Sequence, residues 1–179
     1  LCLADASDAA HSSVGNIVRE YQAKYQHIVY KKIENKGIAA NTNAAAELAS
    51  GEYLALADHD DILAPHAMYT MGQAIRQLRE AGEPDGFLYS DEALFTKKIE
   101  KPLVAHFKPD YAPDYLLCCN YICHLAVFRR ELFEQVGGER PECDGSQDHD
   151  LFLRLIEQVG GAAHVPQVLY YWRVHEGST

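Results

Sequence analysis

A chain of 179 residues, 47% of them hydrophobic, is long enough to bury a core of its own. Its formal net charge of −10 at pH 7 argues against a nucleic-acid partner and a polybasic membrane anchor, because both require a basic surface. No apolar stretch approaches the roughly 20 residues that span a bilayer. No signal peptide is visible either, so we expect no membrane span in this sequence.

Strands and helices alternate through the first half. Apolar runs bounded by Gly, Asn and Ser predict strands, and segments with a helical period predict helices between them. In the first helix, Ile17, Val18, Tyr21 and Tyr25 fall on one face. The alternation is typical of right-handed βαβ units and predicts an α/β fold with a mostly parallel, mixed sheet flanked by helices. The predicted elements are strand 1–5, helix 13–25, strand 28–33, helix 40–49, strand 52–57, helix 62–80 and strand 87–90.

The second half is less regular. The sequence begins without Met, inside a predicted strand, and ends without a terminating helix. We therefore expect a fragment of a longer polypeptide, with the N-terminal strand of the sheet truncated. The predicted elements are a polar loop over 96–110, helix 112–118, strand 122–129, helix 130–136, helix 149–159 and strand 168–174.

The cysteines make an odd count without a framework-like spacing, which predicts reduced thiols in a cytosolic compartment. We expect a cytoplasmic protein, or one held at the inner face of the plasma membrane by other parts of its parent chain. Cys118, Cys119, Cys123 and His124 lack the two-by-two spacing of a structural zinc site. The five cysteines are Cys2, Cys118, Cys119, Cys123 and Cys143.

The turn Asp58-His59-Asp60-Asp61 directly follows the buried strand 52–57. It places three carboxylates at the carboxyl edge of a sheet, where open α/β sheets bind ligands. Carboxylates this close repel each other unless a cation or solvent compensates them. A divalent ion that also holds substrate phosphates would do so.

A purely structural interpretation of this turn is equally open. Asp61 would then be the N-cap of a helix that begins at Ile62 and has Pro65 in its first turn. The other acids would be solvated.

Eight sequence blocks, in the correct order, resemble glycosyltransferase family two. Within that family they most resemble the branch that builds bacterial O-antigen, rhamnan and related surface glycans. The resemblance runs from residue 1 to residue 179. It divides one transferase domain into a nucleotide-sugar half, 1–95, and an acceptor half, 96–179. The blocks are NKGIAANTNA (35–44), ASGEY (49–53), DHDD (58–61), LYSDE (88–92), FKPD (107–110), NYICH (120–124), GSQDHDL (145–151) and WRVHEGST (172–179).

The resemblance implies the GT-A fold, a nucleoside-diphosphate sugar of the UDP or dTDP type as donor, and Mn²⁺ or Mg²⁺. The metal would neutralise the departing diphosphate as a Lewis acid. By the family's D-x-D motif, Asp60 would be the direct metal ligand, and Asp58 would reach the metal, its water or the ribose. His175 would complete the metal shell, although a lone His is more often a surface or core residue.

An inverting transfer needs a base for the acceptor hydroxyl, and the resemblance implies Asp148. The alternative is that Ser146 or Asp148 caps the helix 149–159. The family usually has Glu-Asp here, whereas this chain has Gln147 before the Asp. We expect Asp150 to face solvent or support the site.

The donor nucleotide should meet the first strand. The resemblance implies that Asp5 accepts a hydrogen bond from the uracil or thymine imide, although Ala4 replaces the acid that the family has before it. Asn35, Lys36 and Gly37 precede a helix whose N-terminus can face phosphate. They could instead form an ordinary turn with Gly at positive φ.

The resemblance places three further residues in the donor or acceptor site. Asn43 follows Thr42, where the family often has Arg, so one phosphate or site-acid contact is altered. Asp91 and Glu92, which follow strand 87–90, resemble sugar-side or acceptor-side acids, and the alternative for both is a plain loop carboxylate. Trp172 could stack on a sugar, but we expect it in the core.

The sequence therefore predicts a metal-dependent inverting glycosyltransferase that acts on a glycan or lipid-linked acceptor in surface polysaccharide synthesis. A sugar nucleotidyltransferase would also need an acidic metal site, but its Gly-rich basic loop is not seen. A catalytically inactive transferase-like module that binds carbohydrate or protein is the third possibility. Retention of Asp58, Asp60, Asp148 and His175 together disfavours it. The sequence does not indicate an oligomeric state.

Overall fold

The computed structural model describes residues 1–11 and 13–175, so Ser12 and the final residues 176–179 of the last motif lie outside it. Eight strands and six helices are found in this part of the chain, with short 3₁₀ turns at Ala9–His11 and Pro141–Cys143. In chain order they are β1 Cys2–Asp5, α1 Val14–Gln22, β2 Val29–Lys32, α2 Ile38–Ala46, β3 Tyr53–Ala55, β4 Ile62–Leu63, α3 Ala67–Ala81, β5 Phe87–Phe95, β6 Val104–His106, α4 Pro113–Cys118, β7 Ala126–Arg129, α5 Arg130–Gln135, α6 Gln147–Val159 and β8 Ala163–Arg173.

The described strands form two sheets. β1 and β2 pair in parallel, and the larger sheet has the order β3-β7-β5-β8-β4 with β6 added to β5. The mixed α/β architecture is confirmed, and β3, β5 and β8 run in the same direction. Parallel pairing contributes less than expected: among the described strands it occurs only between β1 and β2 and between β5 and β8. The reason is that β7 inserts between β3 and β5 and runs antiparallel to both.

Helices cover both faces of the larger sheet because neighbouring strand residues point to opposite sides. Phe87 of β5 and Phe128 of β7 pack with Phe152 of α6 on one face. Leu88 and Val127, the adjacent residues, pack with α3 on the other. The sheet is therefore buried on both sides, and only its edges and strand ends are left open.

Several predicted elements differ in extent. The predicted helix 62–80 is β4 followed by α3, because Ile62 and Leu63 pair with β8 instead of starting a helix. The predicted loop 96–110 contains β6, which pairs with an extended β5. On the face predicted for the first helix, Val18 is buried but Ile17 and Tyr21 are exposed, and Tyr25 is exposed beyond the end of α1 at Gln22.

No helix in the described residues is long and apolar enough to cross a membrane. All five cysteines are free thiols. Within the described residues, no three Cys, His, Asp or Glu side chains are placed to hold a metal ion together, so no zinc site is found at Cys118–His124.

Candidate active site

The acidic turn lies where the carboxyl end of β3 meets the start of β7. Ala55 of β3 pairs with Val127 of β7, so residues 58–61 and the turn 120–124 leave the sheet at the same edge. Asp58 points its carboxylate outward, with 61% of the side chain exposed, whereas Asp61 faces β8.

The backbone of the acidic turn is held by β8. The Tyr170 hydroxyl donates to Asp61 Oδ2 at 2.7 Å and accepts the Asp58 N–H at 3.0 Å. The Arg173 backbone N–H donates to Asp61 Oδ1, and its Nε–H donates to the Asp60 carbonyl, both at 2.7 Å. Asp61 is therefore an anchor to β8 and does not cap a helix, since α3 begins only at Ala67.

Asp60 contacts His175, the final described residue. The Asp60 Oδ2 and His175 Nε2 atoms are 2.8 Å apart. Although desolvation raises the pKa of Asp60, hydrogen bonding and charge from His175 outweigh it and leave the pKa below its ordinary value. The structure therefore brings together two of the three residues predicted to bind the metal.

Asp58 contacts His124, which lies just before β7. His124 Nε2 is 3.5 Å from Asp58 Oδ2. Desolvation is the largest cause that raises the pKa of Asp58, and the neighbouring aspartates add to it, against a lowering by His124. The turn thus contains one carboxylate with a lowered pKa and one with a raised pKa.

Asp148 lies in the first turn of α6 and is tied to the same wall of the site. Its Oδ2 accepts the Asn120 amide at 2.8 Å, and its Oδ1 accepts the His149 N–H at 2.9 Å. Asn120 Oδ1 in turn accepts the Cys123 N–H. The turn 120–124 therefore carries Asn120 against Asp148 at one end and His124 against Asp58 at the other.

The alternatives for the start of α6 are now resolved in part. Ser146 occupies the N-cap position but makes no side-chain capping bond. Asp150 forms ion pairs with Arg154 and Arg140, so it supports the fold. Gln147 accepts the Gly145 N–H.

Asp5, at the end of β1, is buried and engaged by its neighbours. Its oxygens accept the Tyr30 hydroxyl at 2.7 Å, the Lys32 ammonium at 3.1 Å and the Ser7 N–H at 2.8 Å. Burial raises the pKa of Asp5, but these hydrogen bonds hold it well below the ordinary value. Any contact with a nucleotide base is additional to these bonds.

Asn35, Lys36 and Gly37 form the turn before α2. Asn35 accepts N–H groups from Gly37 and Asn41, and Gly37 has φ of 99°, so the glycine turn is real. The predicted anion site at the helix start is filled by a carboxylate: Asp144 accepts the Ile38 and Ala39 N–H groups at 3.2 and 2.9 Å. A phosphate at these two N–H groups would have to displace Asp144.

Asn43 is bonded to the backbone of Glu139 through both ends of its amide, at 2.8 and 2.9 Å. The Glu139 side chain is itself buried, and its Oε2 has no hydrogen-bond partner among the described residues. The pKa of Glu139 is raised to about 7, mainly by burial and also by the charges of Asp148, Asp144 and Asp58. A hydrogen bond from Thr42 opposes this rise. Glu139 thus lies within electrostatic range of both predicted parts of the site.

Asp91 and Glu92 lie within β5, not after it, and both are buried. Asp91 accepts the Lys108 N–H and pairs with His164, both at 2.9 Å. Glu92 pairs with the Lys108 ammonium at 3.3 Å and accepts the His124 N–H at 3.1 Å. Glu92 therefore lies against the turn 120–124, whereas Asp91 faces Lys108 and His164, and a contact of either acid with a sugar would require access to these buried positions.

Sequence reasoning missed His124, Tyr170, Asp144 and Glu139. His124 stood in the quoted NYICH block but was considered only as part of a zinc site. Tyr170 lay in an apolar strand and showed no distinguishing signal. Trp172 is partly buried, and its ring meets the His124 ring edge-on, with ring centroids 5.9 Å apart. It is therefore a core residue at the margin of the site.

The residues present suit a divalent metal. Asp60 and His175 lie close enough to bind one ion, and a carboxylate and an imidazole are ligands that Mn²⁺ accepts. An ion bound through one or two carboxylates together with substrate phosphates requires no complete protein cage.

The chain matches the family described as Glycosyl transferase family 2 over residues 6–137. It is 34% identical to the O-antigen biosynthesis protein RfbC of Myxococcus xanthus over 99% of this chain, but it spans only 13% of that protein. Its fold superposes with a TM-score of 0.73 on S. aureus TarS 1-349 in complex with UDP-GlcNAc, at 15% identity, over 98% of this chain and 49% of that one. It also superposes on the mannosyltransferase PcManGT of Pyrobaculum calidifontis in complex with GDP-Man and Mn²⁺, with a TM-score of 0.64 at 18% identity. This match covers 98% of this chain and 48% of that one.

These matches define the class: the fold is GT-A, and the chain belongs to glycosyltransferase family 2. The chain spans about half of the two solved structures and less than a fifth of RfbC.

Proposed function

We propose that the chain is the transferase domain of a metal-dependent, inverting hexosyltransferase. It would transfer a sugar from a nucleoside-diphosphate donor of the UDP or dTDP type to a glycan or lipid-linked acceptor. The observation that carries the proposal is the contact of Asp60 with His175 across 115 residues of sequence, at 2.8 Å. The name of RfbC supports a role in cell-surface polysaccharide, and the nucleotide-sugar complexes of TarS and PcManGT support the donor class.

Asp60 and His175 would hold Mn²⁺ or Mg²⁺, with Asp58 beside them. When bound, the ion would supply the positive charge that neutralises the leaving diphosphate. Asp60 Oδ2 and His175 Nε2 lie within hydrogen-bond distance of each other, so an ion bound to both atoms would have to displace the proton of that contact. Metal binding should therefore weaken as the pH falls.

Asp148 would take the proton from the attacking acceptor hydroxyl. The Asn120 amide fixes the orientation of its carboxylate, as positioning of a general base requires. Attack from the side of α6, opposite the departing diphosphate, would invert the anomeric carbon.

The donor would lie between the two halves. We retain Asp5 for the base, and Asn35, Lys36, Gly37 and Asn43 for the ribose and phosphates. Asp91 and Glu92 would act on the sugar side, Glu92 from beneath the turn 120–124. The boundary near residue 95 between the halves and a cytoplasmic location remain predictions.

Calorimetry with UDP tests the metal role. Affinity for UDP should rise when Mn²⁺ is added, and Asp60→Ala should abolish that rise, because the ion would lose a direct ligand. Glu157→Ala, an exposed carboxylate on α6, is the control and should retain it. Equal UDP affinity of the unaltered protein in Mn²⁺ and in excess chelator would remove the metal from the proposal.

A further inference from the structure

His124 is held firmly beside the acidic turn, and the proposed reaction gives it no role. Its ring stacks on Tyr170, with ring centroids 4.6 Å apart and planes 16° from parallel. Trp172 packs against its edge at 5.9 Å, and only 19% of the His124 side chain is exposed. These contacts fix the plane of the imidazole and direct Nε2 towards Asp58 Oδ2, 3.5 Å away.

The position of the imidazole proton follows from the other nitrogen. His124 Nδ1 is buried and has no hydrogen-bond partner among the described residues. Glu92 Oε2 lies 4.0 Å from it, too far for a hydrogen bond, and already accepts the His124 backbone N–H and the Lys108 ammonium. A buried N–H without an acceptor costs about 1–3 kcal/mol. We therefore assign the proton of the neutral ring to Nε2, facing Asp58.

One aromatic stack thus controls both the backbone and the side chain of Asp58. The Tyr170 hydroxyl accepts the Asp58 N–H at 3.0 Å, and the ring of Tyr170 supports His124. Nε2–H then points at Oδ2 across 3.5 Å, which is an electrostatic contact longer than an ordinary hydrogen bond, and this contact leaves the other carboxylate oxygen, Oδ1, to a ligand. Polar neighbours that contact a carboxylate in this way commonly set its orientation at metal sites.

We propose that His124 is a positioning residue of the donor site, which orients Asp58 through Nε2–H so that Oδ1 faces the metal, its water or the ribose. The inference rests on the proposed function in one respect, namely that Asp58 takes part in metal or donor binding. The orientation of Asp58 itself does not depend on a metal, so the two can be tested separately.

The first test measures the affinity for Mn²⁺ alone, by electron paramagnetic resonance. His124→Phe keeps an aromatic ring against Tyr170 but cannot donate, and it should weaken Mn²⁺ binding roughly 10- to 100-fold. His124→Gln, which retains an N–H donor, should restore most of the loss. His66→Phe, the same change at an exposed position before α3, should leave the affinity unchanged.

Melting temperatures accompany each variant, so that a loss of fold is not mistaken for a loss of metal. His124→Leu, which is smaller and equally unable to donate, replaces His124→Phe if the latter does not fold. Equal Mn²⁺ affinities for His124→Gln and His124→Phe would overturn the proposal. So would unchanged affinity in His124→Phe when Asp58→Ala weakens binding.

Crystal structures of the metal-free proteins provide the second test. In the unaltered protein the Asp58 carboxylate should have a single orientation. In His124→Phe it should have several orientations or one rotated orientation. If Asp58→Ala does not alter Mn²⁺ affinity, the metal role of Asp58 in the proposed function fails, while a displaced Asp58 in His124→Phe still supports the positioning role. An Asp58 carboxylate that keeps its orientation in His124→Phe refutes the positioning role, whatever the metal does.

Discussion

The Asp148 carboxylate accepts two hydrogen bonds, one from the adjacent backbone and one from the Asn120 amide. Such a carboxylate could serve as a base or simply stabilise the start of α6. The two roles make different demands on its charge, because an amide can accept the same backbone N–H but cannot take up a proton.

The free energy of unfolding of Asp148→Asn should therefore lie within about 1 kcal/mol of that of the unaltered protein, and the variant should bind the donor normally. Glycosyl transfer should fall by roughly a hundredfold or more. The matched control is Asp150→Asn, which removes the ion pairs with Arg154 and Arg140 and should lower stability without loss of turnover. Near-normal transfer by Asp148→Asn would assign the base elsewhere.

Among the elements, β5 and the turn 120–124 are joined by one buried ammonium group. Lys108 donates to Glu92 of β5 and to the carbonyls of Ile122 and His124. Burial lowers the pKa of Lys108, and the charge of Glu92 opposes that lowering. This pair supports the turn that contacts both Asp58 and Asp148.

Lys108→Met should cost about 3–5 kcal/mol of unfolding free energy, because it leaves the Glu92 carboxylate buried without its cation. Adding Glu92→Gln should recover part of the loss, since the uncompensated charge is then removed. Urea unfolding followed by the fluorescence of Trp172, the single tryptophan, measures both. Lys101→Met, at an exposed position, should change stability by no more than about 0.5 kcal/mol, and a similar small effect at Lys108 would contradict the role of the pair.

At the scale of the whole molecule, the N-terminal half, residues 1–95, and the C-terminal half, residues 96–179, contact each other around Glu139. Asn43 of α2 binds the Glu139 backbone, Thr42 binds its side chain, and Asp144 caps the start of α2 from the other half. Burial is the main reason that the pKa of Glu139 rises from 4.5 to about 7. The folded protein therefore binds a proton there that the unfolded chain has lost between these two pH values.

Because the folded state holds the extra proton, Glu139 should make the protein less stable as the pH rises from about 4.5 to about 7. Glu139→Gln lacks this titration, so its stability relative to the unaltered protein should rise by about 3 kcal/mol across the interval and stay level above it. Urea unfolding of both proteins from pH 4 to pH 8 measures the difference. Glu142→Gln, an exposed neighbour, should show no such trend; a constant gap for Glu139→Gln would mean that the carboxyl titrates normally.

Local pattern sufficed for much of the fold. β1, β2, β3, α1 and α2 were each predicted to within a few residues, because apolar period and turn residues act over short stretches. β4 was missed because an apolar pair such as Ile62 and Leu63 fits a helix or a strand equally well, and only its pairing with β8 makes it a strand. The buried state of Asp91 and Glu92 was missed for a related reason: β5 continues past Ser90 only where β6 and β8 flank it.

The sequence by itself determined the family, the acidic turn after a buried strand, and the candidates Asp60, His175 and Asp148. Only the tertiary structure decided which groups surround them. Tyr170, Arg173 and His175 reach the acidic turn across 109 to 115 residues because β8, the last strand, enters the sheet beside β5 and pairs with β4. Asp144 and Glu139 likewise meet α2 from about a hundred residues away. Local propensity depends on neighbours in the chain, whereas these contacts depend on strand order and on which loops leave the sheet at the same edge.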